Sequence, residues 1–148
     1  MKKNIVTVLL FVSAAFLPKT HAGTAIIPNY HIWDGGGKSC FNISNVSTTS
    51  ALVNVQLFNR TGAPFNGSVA SKYIIDQIGI PFTLEPKKTA FFCLTSGGGT
   101  SPGYGVIESQ ALEPAAGQVF LVAHGYYSSA VPNTSQAFSI PINGGLPF

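Results

Sequence analysis

The sequence predicts a single all-β domain, an antiparallel β-sandwich of about seven to nine short strands, and three observations carry that expectation. Apolar and polar residues alternate along Ala51–Asn59, where Val53, Val55 and Leu57 are interleaved with Asn54 and Gln56. Turn-forming residues cut the remaining apolar stretches into short pieces. No segment sustains a helical period behind a capping residue.

The elements follow in chain order. Ser39–Val46 sets Phe41 and Ile43 on one face and Asn42 and Ser44 on the other. The link to Ala51–Asn59, Ser47-Thr48-Thr49-Ser50, is short and polar, which predicts that the two strands form an antiparallel hairpin. Tyr73–Ile80 and Phe82–Leu84 are apolar and β-rich, with Pro81 marking a break. Thr89–Thr95 runs almost continuously apolar through Cys93, as a central strand does. Tyr104–Ser109, Gln118–Tyr127 and Gln136–Ile142 complete the set. In the last, Phe138, Ile140 and Ile142 face opposite to Pro141, the pattern of an edge strand. Thr61–Ser71 and the Gly-rich Ser96–Gly105 read as loops.

A leader precedes this domain. Met1-Lys2-Lys3 is a cationic start, Ile5–Leu17 an apolar run of 13 residues, and Ala22 a small residue for cleavage before Gly23. The run is shorter than the roughly 20 residues a bilayer span needs. Residues 1–22 are therefore expected to be a signal peptide and residues 23–148 the exported domain, periplasmic or extracellular, with no membrane span after cleavage. Lys2, Lys3 and Lys19 leave with the leader. What remains is Lys38, Arg60, Lys72, Lys87 and Lys88 against Asp34, Asp76, Glu85, Glu108 and Glu113, five charges of each sign. The basic pI belongs to the targeting segment, and a nucleic-acid surface is excluded. A domain so nearly neutral is weakly protected against self-association. The chain has two cysteines, Cys40 and Cys93, without C-x-x-C spacing; in an exported protein they predict one disulfide.

Catalytic patterns are not found. Gly97-Gly98-Gly99 lacks the Lys-Ser/Thr of a phosphate loop, and there is no Gly-x-Ser-x-Gly elbow. Glu108 and Glu113 read as solvated residues rather than a glycosidase pair. Asn-x-Ser/Thr triplets at Asn42, Asn45, Asn59, Asn66 and Asn133 are expected by chance in so Asn- and Ser-rich a chain. No cofactor is expected. A metal site requires His31, Asp34 and His124 to converge. Tyr30, Trp33, Tyr104, Tyr126 and Tyr127 are the candidate ligand-binding aromatics, because such rings join an apolar face to a polar edge.

Several phrases fall in a familiar order: Ile27-Pro28-Asn29-Tyr30, Cys40 followed by Asn45, and the Val53/Val55/Leu57 strand. They continue with Phe82-Thr83-Leu84-Glu85-Pro86 and Thr89, Tyr104–Ser109, and Val122-Ala123-His124. In this order and spacing the chain resembles the sensory rhodopsin transducer family. The resemblance implies a compact β-sandwich that forms oligomers and recognises a partner without catalysing. That family's photoreceptor association is cytoplasmic, so the export signal, the insert before Tyr73 and the glycines at 97–99 depart from it. The combined expectation is a non-enzymatic structural or partner-binding protein of the bacterial envelope, as a homo-oligomer or with another envelope protein. A carbohydrate-binding or adhesion module, taking a glycan, is the competing reading.

Overall fold

The computed structural model describes residues 23–33, 36–95, 102–113, 117–129 and 136–148. The leader expectation falls outside them, as do Asp34 and the Gly-rich stretch 96–101. The described residues form nine strands: β1 (Gly23–Tyr30), β2 (Lys38–Asn45), β3 (Ala51–Asn59), β4 (Ser68–Tyr73), β5 (Phe82–Leu84), β6 (Thr89–Thr95), β7 (Gly103–Ala111), β8 (Leu121–Ser129) and β9 (Gln136–Pro141). They make two antiparallel sheets, ordered β1-β7-β3-β5 and β4-β6-β2-β8-β9, whose inner faces enclose one core. The chain is the expected all-β sandwich.

The period-two alternation decides what each strand contributes. β3 sends Val53, Val55 and Leu57 inward and β7 sends Ile107, while β2, β6 and β8 supply Phe41, Ile43, Phe92, Leu94 and Leu121, all at most 2% exposed. Phe41 and Phe92 lie with ring centroids 5.3 Å apart at the centre. Gly125 makes room for them, since a Cβ there meets the Phe41 ring at 2.6 Å.

The expected β2–β3 hairpin does not form. β2 lies in the five-stranded sheet and β3 in the four-stranded one, so residues 46–50 carry the chain across the sandwich. The buried Asn45 side chain fixes that crossing. Its Nδ2 donates to Thr49 O at 2.8 Å and to Leu84 O at 2.9 Å, and its Oδ1 accepts from the Ser47 N–H at 3.0 Å and from the Ser47 hydroxyl. Its backbone pairs with Lys87 and Lys88 as well. Alternation reports which side of a strand is wet, and the inner faces of both sheets satisfy it equally.

The apolar run 73–80 is also not a strand. β4 occupies the second half of what reads as the Thr61–Ser71 loop, and Ile74 at φ 71° turns the chain out of extended conformation. Ile75 plugs the core at 1% exposure, and Gly79 N–H donates to Val55 O at 2.8 Å. β9 is an edge strand, as its Pro141 predicts.

Cys40 and Cys93 form the expected disulfide, bridging directly opposed residues of β2 and β6 with Cα atoms 4.0 Å apart. Both side chains point away from the core, since their neighbours Phe41 and Phe92 point into it, yet both are buried. Closing a loop across a separation of 53 residues contributes about 4 kcal/mol in the chain-entropy model. Replacing both cysteines by alanine is expected to lower the urea midpoint with the β circular-dichroism signal retained below it.

Asn45→Ala removes the side-chain partner of Leu84 O and of the Ser47 N–H, while Thr49 O keeps the Ser47 hydroxyl at 3.2 Å. At roughly 1 kcal/mol or more for each group left without its partner, it is expected to cost about 2 kcal/mol of unfolding free energy in urea titration.

Candidate binding surface

The five candidate aromatics do not make one platform. Tyr30 is fully buried: its ring meets Phe65 edge-on at 5.6 Å and packs under Gly103, where any Cβ would strike it. Trp33 and Tyr127 come together with His31 and Phe138, with His31–Trp33 centroids at 6.3 Å, His31–Tyr127 at 5.7 Å and Tyr127–Phe138 stacked at 4.8 Å. Ser39 holds this cluster in place. Its buried hydroxyl accepts from His31 N–H and donates to His31 O, both at 2.9 Å. Tyr126 lies on the outer face of the five-stranded sheet, and Tyr104 on that of the four-stranded sheet.

The metal-ligand candidates separate as well. His124 is exposed on the outer face of β8, its Nε2 2.9 Å from the Ser139 hydroxyl. His31 packs on Tyr127, whose side chain leaves β8 on the opposite face. The two histidines are on different sides of the sheet, and no group of three His, Cys, Asp or Glu converges among the described residues.

What the fold does assemble is the outer face of the four-stranded sheet. There β1, β7 and β3 present their outward residues in register. Tyr104 lies beside Phe58, then Ile26, Val106 and Gln56 form one row, Thr24, Glu108 and Asn54 the next, and Gln110 and Leu52 the last. One end is apolar and aromatic: Tyr104 stacks on Phe58 at 5.2 Å, and Ile26 is 51% exposed. The other end is polar. Asn54 Nδ2 and Gln56 Nε2 reach Glu108 Oε2 at 3.4 and 3.5 Å, the outer limit of hydrogen bonding. Asn54 Oδ1 is buried with no partner. Thr24, Leu52, Asn54, Pro81, Glu108 and Gln110 line a shallow depression of about 350 Å³ there.

Of these residues only Tyr104 belongs to the sequence-derived candidates. The polar stripe of Asn54 and Gln56 is visible as the wet side of β3. That it meets Glu108 depends on register, which one strand does not carry.

No family model matches the chain, and no curated protein does. Among solved structures the chain is similar to the crystal structure of Thermotoga maritima 1070, with a TM-score of 0.53 at 12% identity over 78% of this chain and 88% of that one. At that distance the likeness concerns the β-sandwich alone. The disulfide fits an exported protein, and no helix among the described residues is long and apolar enough to cross a membrane.

Burial raises the Tyr30 phenol pKa above its ordinary value, and its hydroxyl has no hydrogen-bond partner. Tyr30→Phe is expected to keep or raise the melting temperature at neutral pH, because an unpaired buried hydroxyl costs free energy. The raised folded-state pKa means the unfolded chain loses its proton first. Its contribution is present below about pH 10 and lost as pH rises through the folded value. The Phe variant is expected to lose less stability than wild type in that alkaline range, measured by urea unfolding at stepped pH.

Proposed function

We propose that this chain is an exported, non-enzymatic recognition module of the bacterial cell envelope, and that it binds through the outer face of its four-stranded sheet. The observation that carries the reading is the face itself, a stacked aromatic pair adjoining a polar field whose exposed Glu108 has spare hydrogen-bonding capacity, on paired strands. A binding surface on paired strands loses little freedom when occupied.

The leader composition and the disulfide support export. The separation of groups supports a non-catalytic role. Glu108 lies outside one sheet, His124 outside the other, and the core stands between.

Self-assembly by strand addition has less support, because each sheet edge is blunted. β5 has three residues, β9 carries Pro141, and β1 has Pro28 and a bulge between Ile27 and Tyr30. β4 has a bulge between Ala70 and Tyr73, with Ser71 at φ 50°. Bulges, prolines and short lengths are how β-proteins keep edges from pairing.

Protein secreted by its own leader is expected to be retained on washed envelope fragments and to be released by Ile26→Arg, which sets a charge on the face without entering the core. Sedimentation with the fragments measures this, with circular dichroism confirming the variant's fold. Failure to sediment, or equal sedimentation of Ile26→Arg, overturns the reading.

A further inference from the structure

We propose that the ligand of this face is a neutral oligosaccharide, lying along β7 with Tyr104 at one end and the Glu108 field at the other. The inference rests on the recognition reading above and assigns its chemistry.

A sugar ring has two kinds of surface: patches of C–H on its faces and hydroxyls, each both donor and acceptor, around its rim. The sheet face divides the same way. Tyr104, Phe58, Val106 and Ile26 offer apolar and aromatic contact, while Thr24, Glu108, Asn54, Gln56 and Gln110 offer donors and acceptors. Three of the five polar groups are carboxamides and one is the Thr24 hydroxyl, all of which give and accept at once, and the fifth is a carboxylate that only accepts. A protein partner fits this half poorly, because the centres of protein interfaces are depleted in carboxylates.

The spare valences point the same way. Glu108 receives only two contacts at the limit of hydrogen-bond length, and Asn54 Oδ1 is buried with none. Ligand hydroxyls can satisfy the exposed Glu108 carboxylate, while Asn54 Oδ1 lies beneath the surface. The charge balance excludes an anionic chain. Among the described residues the one ion pair is Lys72–Asp76, with Lys72 on β4 of the other sheet, so Glu108 has no cation to offset a second negative charge.

The dimensions suit a chain rather than a single sugar. From Tyr104 to Gln110 is six residues of strand, about 20 Å at roughly 3.4 Å each, and three strands at roughly 4.8 Å spacing make the field about 10 Å wide. The depression occupies only the Glu108 end of this length and stops short of Tyr104.

Isothermal titration of the mature protein with chitohexaose, cellohexaose, maltohexaose and mannohexaose tests this, with oligogalacturonate as the charged counterpart. At least one neutral chain is expected to bind, and oligogalacturonate more weakly. Tyr104→Ala and Glu108→Gln are each expected to weaken binding about tenfold, as loss of a stacking contact or of a charge-assisted hydrogen bond does. Trp33→Ala, at the separate aromatic cluster, is expected to leave it unchanged. Tighter binding of oligogalacturonate, or loss with Trp33→Ala but not with Tyr104→Ala and Glu108→Gln, overturns the proposal. Absence of binding to every neutral chain, with envelope retention still sensitive to Ile26→Arg, overturns the sugar chemistry and leaves the recognition surface standing. Absence of both overturns the recognition surface as well.

Discussion

The carboxamide of Asn45 is the joint on which this sandwich turns. It sits buried at the end of β2 and bonds to the crossing loop through Ser47 and Thr49 and to the opposite sheet through Leu84 O. With both its nitrogen and its oxygen engaged, it has little capacity left for any other arrangement of residues 45–50. A buried amide without these partners costs more than the crossing gains, so the site tolerates only the geometry that satisfies it. The crossing sends β3 into the four-stranded sheet, and there it pairs with β7 along its whole length. Without it, Asn54 and Gln56 would not stand beside Glu108. The surface we assign to recognition is thus downstream of one buried side chain.

Strand alternation then does two tasks with one pattern. Inward, β3 and β7 deliver Val53, Val55, Leu57 and Ile107 to the core. Gly105 is the small inward residue of β7, and it lets Leu57 and Ile27 close over it. Outward, the same strands deliver a wet face that no element among the described residues covers. Because both faces are written at period two, a slip of one residue would bury Glu108 and expose Ile107. The core therefore enforces the register of the outer face, and the hydrophobic effect fixes where the polar groups stand.

Much of the fold is legible in the sequence, because burial on one face is a local signal. Ala51–Asn59 and Thr89–Thr95 coincide with β3 and β6 to the residue, and Pro141 identifies an edge. The misreadings share a cause. Residues 73–80 are apolar, but a left-handed Ile74 and the turn around Gly79 make them a plug and not a strand, and composition alone does not report φ. The β2–β3 hairpin fails because a short polar link suits a turn and a sheet-to-sheet crossing alike. The face proposed for recognition is less legible still. Aromatic residues attract attention singly, yet Tyr30 serves the core and Trp33 and Tyr127 pack with His31, while Glu108 gains its meaning only from Asn54 and Gln56 across β3.

The disulfide completes the physical logic. It staples β2 to β6 on the outward side of the five-stranded sheet and leaves the four-stranded sheet free of any cross-link. Its stabilisation acts on the whole cooperative unit by restricting the unfolded chain, so it need not sit near the surface it protects. A small domain with few charges gains little from ion pairs, and the single one described here is exposed. Stability placed in one sheet and in the core lets the other sheet keep a polar field with unsatisfied atoms such as Asn54 Oδ1. An arrangement that carries such a local cost on one face, and offsets it on the other, is what the recognition role proposed for that face requires.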